Sequence, residues 1–158
     1  MKDMISPADS PTPVAQPPRV YRAMRRAVDG LPVVGSTSSS ELGVRPGIDI
    51  KVDGAGNVVL DGSGMSVSPS WRELEFTRIP KRLGHIVPGA KGANSMCCYA
   101  MGVGLFQNGM VATGLELIPD QVPSPVTHGV VAPVQSVLFA EYQADLVNTR
   151  AAWQIDET

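Results

Sequence analysis

One arginine, one Ser-Val-Ser tripeptide and one histidine are the residues of this chain whose types and settings suit chemistry. Arg22 lies in the first candidate strand, Arg19-Val20-Tyr21-Arg22-Ala23-Met24. Alternation there puts Val20, Arg22 and Met24 on one face and Tyr21 and Ala23 on the other. A guanidinium fork in that place suits a phosphate or a carboxylate. On an edge strand the same arginine would face water. Ser66-Val67-Ser68 follows the glycine turn Asp61-Gly62-Ser63-Gly64 and ends at Pro69. Its period of two gives Ser66 and Ser68 a common face, either a ligand-facing wall or the wet side of a strand. His128 precedes Gly129-Val130-Val131-Ala132-Pro133 and could serve as a base near neutral pH or be structural. The other histidine, His85, falls in a glycine-rich loop and ranks below it.

The elements that must position these groups are mostly strands. Ile48-Asp49-Ile50-Lys51-Val52 alternates apolar and polar residues and is expected to pair, across Asp53-Gly54-Ala55-Gly56-Asn57, with Val58-Val59-Leu60. Residues 95–106 read as a buried strand, and Gln107-Asn108-Gly109 is expected to turn it into a returning strand over 110–118. Gly102, Gly104 and Gly114 suggest bulges or close backbone contact. Ser70 can cap a helical turn beginning at Trp71. The last element reads as a helix capped by Ser136, with Phe139, Tyr142 and Leu146 on one face and Trp153 packing its end. Residues 36–40, Ser-Thr-Ser-Ser-Ser, read as a mobile loop or a helix entrance, and the proline-rich residues 1–18 as a disordered or extended leader. The expected fold is α+β: a mixed or antiparallel sheet split into two packed halves, a cleft between them, peripheral helices and a C-terminal helix outside.

Length and composition set the bounds. A chain of 158 residues suits one domain, placed at 19–158 behind the leader. A net charge of −2 gives no basic tract to hold a polyanion. Sixteen glycines and fourteen prolines mark a chain rich in turns. Cys97 and Cys98 are adjacent, point to opposite strand faces and have no metal-ligand spacing; they read as small apolar residues of a reducing compartment. No run is long and apolar enough for a transmembrane span, and no signal-peptide core is present, so membrane association is not expected. A Ser-His-Asp hydrolase built on Ser66 or Ser68 lacks a Gly-x-Ser-x-Gly elbow.

In order along the chain, Tyr21-Arg22, Gly64-Met65-Ser66-Val67, Ile79-Pro80 and His128-Gly129-Val130-Val131-Ala132-Pro133, with the closing helix, resemble the ADP-ribosyltransferase-like toxins delivered by type VI secretion. The likeness runs from about residue 20 to 153. It implies an ADP-ribosyltransferase-like fold, NAD as substrate with no metal, and a toxin acting in a cytoplasm, its own or, on delivery, a recipient cell's, on a macromolecular target not specified by the likeness. It also implies a cognate immunity or antitoxin protein. Arg22 matches the superfamily's first-strand arginine, Ser66 and Ser68 its Ser-x-Ser, and His128 the toxins' histidine. The superfamily's Glu-x-Glu has no counterpart, Glu116 and Gln135 being the nearest positions, so transfer and NAD hydrolysis both stay open. On this likeness Arg22, Ser66 and His128 would be catalytic. Tyr21, Arg22, Ser66, Ser68 and Trp71 would bind NAD, with Tyr21 or Trp71 stacked on the nicotinamide. The alternative is a non-catalytic β-rich binding or structural module.

Overall fold

The computed structural model describes residues 16–158. The expected leader therefore lies outside the described residues except for 16–18. There the chain is held: the Val103 and Gly104 amides both donate to the Pro17 carbonyl. Gly102 makes this approach possible, because its φ is +88° and a Cβ would stand 2.1 Å from the Pro18 oxygen.

The chain is α+β, with two antiparallel sheets and one α-helix near the C-terminus. The first sheet has the order β1 (Val20–Arg25), β3 (Met96–Met101), β7 (Gln154–Ile155). The second has the order β2 (Met65–Val67), β6 (Gly129–Pro133), β5 (Leu115–Pro119), β4 (Gly109–Ala112). One bridge joins them. Tyr21 and Ser68 exchange backbone hydrogen bonds of 2.8 and 2.9 Å, and from that point β1 and β2 belong to different sheets. The split expected from the sequence sits at this bridge.

Strand alternation then divides the apolar residues between two cores. Val20 and Met24 of β1 join Tyr99 of β3 and Met65, Leu117 and Val131 of the second sheet in the larger one. Cys98, on the opposite face of β3, packs with Trp71, Ile79 and Leu83 in the smaller one, against which Tyr21 also lies. The first sheet is covered on both sides. Each large apolar side chain so buried contributes about 1.5–3 kcal/mol. The helix α1 (Phe139–Val147) buries Tyr142 and Leu146, four residues apart on one face. The Tyr142 hydroxyl donates to the Val131 carbonyl and accepts from the Met65 amide, tying α1 to β2 and β6. Gly64 gives β2 its entry, since a Cβ there would meet the Val131 oxygen at 2.8 Å.

Several local expectations are corrected. The pairing across residues 53–57 is reduced to a single bridge, Val52 with Val58. Its first arm does not extend, because the Asp49 carboxylate takes the Arg45 amide and guanidinium and folds residues 45–49 into a turn. Asn108-Gly109 does not return β3 onto β4, because β3 pairs with β1 and β7, and the hairpin partner of β4 is β5 across Thr113-Gly114. Ser136 does not cap α1; its hydroxyl donates to the Val58 carbonyl at 2.7 Å, and no side chain caps the helix. Residues 36–41 form an ordered turn around Glu41, whose carboxylate accepts from the Thr37 and Ser38 amides and from Arg25. Ser70 does cap a 3-10 turn over Trp71–Glu73, accepting from the Arg72 amide.

The C-terminal residues strap the smaller core. Asp156 accepts from Arg19 at 2.6 Å, Tyr21 at 2.8 Å and the Thr158 hydroxyl at 2.7 Å. The Thr158 main-chain oxygen accepts from the Trp71 indole at 3.0 Å. The bonds from Thr158, then from Arg19 and Tyr21, hold the Asp156 carboxyl well below the usual carboxylate range. A depressed carboxylate pKa adds stability above the unfolded value of about 3.9, and that stability is lost as pH falls through the folded value. Thermal midpoints should therefore drop more steeply below about pH 4 in the wild type than in Asp156→Asn. Equal slopes in the two proteins would show that the strap does not depend on this charge.

Candidate functional site

A cleft of about 480 Å³ opens where the two sheets part, and Arg22, Ser66, Ser68 and His128 all line it. Three stretches far apart in sequence thus meet in one place. Arg22 comes from the middle of β1, Ser66 from β2, and His128 from the residue just before β6. The pairing of β2 with β6 sets Ser66 opposite Val130 and so brings His128 to the same end.

Arg22 lies between Val20 and Met24 on the face turned to the larger core and is 4 % exposed. Its Nη1 donates to the Ser66 carbonyl at 2.9 Å. Its Nη2 donates to the Ser39 and Glu41 carbonyls, both at 3.0 Å, and its Nε to Glu41 at 3.3 Å. Backbone oxygens satisfy nearly the whole fork, and no carboxylate pairs with it among the described residues. Burial, and then the neighbouring Arg78, push its pKa down to about 9, which leaves it charged at neutral pH. The bidentate grip on a substrate phosphate expected of Arg22 finds few donors to make it. The residue supplies charge to the cleft and holds its walls together.

Ser66 is exposed between the buried Met65 and Val67, so its hydroxyl is presented to the cleft. Ser68 is 4 % exposed and belongs to the bridge with Tyr21. His128 is half-exposed, and its Nδ1 lies 2.8 Å from Asp120 Oδ2. An ionised carboxylate only accepts, so Nδ1 carries the proton in the neutral ring and Nε2 keeps its lone pair. The Asp120 amide also donates to the His128 carbonyl at 2.9 Å, fixing the pair through backbone and side chain.

Tyr21 and Trp71 are not brought to the cleft. Tyr21 alternates away from Arg22 and binds Asp156 and Arg19. Trp71 is 1 % exposed in the smaller core. Glu116 and Gln135 do not line the cleft either, and Glu116 accepts instead from Asn108. His85 is exposed elsewhere, with its Nδ1 near the Arg82 carbonyl.

Several charged groups at the cleft were not singled out from the sequence. Arg45 lines it, clamped to Asp49 by bonds of 3.0 Å from Nε and Nη2. Arg78 lines it from the end of the 3-10 turn Phe76–Arg78. Asp120 stands behind His128. A proline-rich loop separates Asp120 from His128, and no periodicity announces the pair. Glu73 and Glu75 also line the cleft and are exposed.

No protein-family model, no curated protein and no solved structure matches this chain.

The roles of Arg22 and Ser66 separate in stability. Arg22→Gln removes donors from three buried or half-buried carbonyls and should cost about 3 kcal/mol or more. Ser66→Ala removes an exposed hydroxyl and should stay within about 0.5 kcal/mol. Urea unfolding of both variants measures this, and an Arg22→Gln protein as stable as wild type would overturn the wall-holding role.

Proposed function

We propose that this protein is an NAD-dependent ADP-ribosyltransferase-like toxin, and that its α+β sheets form a variant of that superfamily's split fold. The observation that carries the reading is convergence. Arg22, Ser66 and Ser68, matched to that superfamily, and His128, matched to its toxins, come from three separate stretches of sequence and line one cleft.

Cleavage of the nicotinamide–ribose bond releases nicotinamide and leaves positive charge on the ribose carbon. That carbon is then captured by a nucleophile on a target molecule or by water. In this reading the exposed Ser66 hydroxyl hydrogen-bonds the ribose. In the same reading His128 Nε2 takes the proton that the nucleophile gives up, with Asp120 holding the ring in the tautomer that can do so. Arg22 fixes the β2 wall through the Ser66 carbonyl. Most of the rate would come from positioning and fixed charge. The substrate would be NAD, no metal is required, and the macromolecular target and an immunity protein follow from the toxin reading. Among the described residues, no helix is long and apolar enough to cross a membrane.

The test is nicotinamide release from NAD by purified protein, beside growth on cytoplasmic expression. Wild type should release nicotinamide and arrest growth. His128→Ala should lower the rate by about 10²-fold, the usual size of a general-base contribution. Asp120→Asn should lower it in the same direction while leaving the KM for NAD unchanged. Absence of both release and arrest with folded wild type, given a cell lysate as target source, would leave the non-catalytic binding module as the reading.

A further inference from the structure

Among the cleft arginines, the one matched to the superfamily is not the one with donors to offer. A guanidinium has five N–H donors. Arg22 spends Nε, Nη1 and Nη2 on the carbonyls of Ser39, Glu41 and Ser66. Arg78 is engaged through Nη2 alone, which donates to the Ala23 carbonyl at 3.0 Å and to the Ser39 carbonyl. Its Nε and Nη1 have no protein acceptor among the described residues. The two guanidiniums share the Ser39 oxygen, so they lie side by side with like charge.

We infer that Arg78 is the anion-binding residue of the cleft, and that its open Nε–H and Nη1–H donors take phosphate oxygens of a diphosphate. The choice of a dinucleotide as the bearer of that diphosphate rests on the NAD reading; the anion site does not. Three further facts favour an anion here. Neither Arg22 nor Arg78 has a carboxylate within ion-pairing distance among the described residues. The one carboxylate deep in the cleft, Asp49, is occupied by Arg45. Burial disfavours the Arg78 charge by more than the nearby Glu75 favours it, and Arg45 adds to the cost, so a bound anion would relieve what remains. A planar guanidinium with its Nη2 already fixed holds its remaining donors in set directions, which a lysine ammonium would not. Glu73 and Glu75 are exposed and set a limit on how much negative charge the outer cleft accepts.

The experiment is calorimetric titration at low ionic strength with inorganic pyrophosphate, NAD and nicotinamide riboside. Wild type should bind pyrophosphate and NAD, and Arg78→Gln should weaken both by tenfold or more while leaving the riboside unchanged. Pyrophosphate binding that is absent in wild type, or undiminished in folded Arg78→Gln, overturns the assignment. Pyrophosphate bound through Arg78 without NAD binding or cleavage keeps the anion site and removes the NAD reading. NAD bound and cleaved equally by wild type and Arg78→Gln does the reverse. A measurement on the wild type alone guards against a variant that fails to fold. With pyrophosphate the Arg78 Nε–H resonance should shift and that of Arg22, bonded to Glu41, should not. A shift confined to Arg22, or none at either, overturns the proposal.

Discussion

A cation buried between two sheets and satisfied only by backbone oxygens is the constraint on which this molecule is built. Taking a guanidinium out of water costs several kcal/mol unless its donors are met. Arg22 meets them by gathering the carbonyls of residues 39 and 41 on one side and of Ser66 on the other. The loop after β1 and the first strand of the second sheet are therefore both referred to one side chain. The sheets separate beyond the Tyr21–Ser68 bridge, and the guanidinium occupies the space that opens. An apolar residue of similar size at that place would fill the space but leave the carbonyls without donors.

The smaller core has its own logic. β3 is the centre of the first sheet, and its alternation sends Tyr99 one way and Cys98 the other. Burial raises the Cys98 thiol to about 12, so it behaves there as an apolar residue and not as a nucleophile. Trp71 anchors this second core and gives its indole N–H to the C-terminal strap. Trp71 is almost fully buried among Ile79, Leu83 and Cys98, so neither ring face is free to stack on a ligand.

Much of the candidate site was legible because strand alternation is a local rule. It put Arg22 with Val20 and Met24, presented Ser66, and separated Tyr21 from Arg22. The same alternation, followed through, already argued against Tyr21 and Arg22 serving one cleft. What was not legible depended on partners distant in sequence or on side chains that redirect the backbone. Asp49 turns the chain back on Arg45 where periodicity read a strand. β3 finds β1 and β7, which no turn signal near Asn108 could announce. Asp120 reaches His128 across a proline-rich loop, and Arg78 reaches the cleft from an irregular segment with no period. Glu41 did leave a trace: a serine three residues before a glutamate is a turn-capping pattern, and residues 38–41 carry it.

The loop at 36–41 has the composition of a segment that tolerates almost anything, with Ser-Thr-Ser-Ser-Ser ahead of its glutamate. Its geometry is the opposite. The Ser39 carbonyl is the common acceptor of two guanidiniums, and the Glu41 carbonyl serves one of them again. Inserting or deleting a single residue here would rotate those oxygens away and leave two cations in low dielectric with fewer acceptors. The stretch that looks most permissive on paper is thus among those where a change of length would be least forgiven.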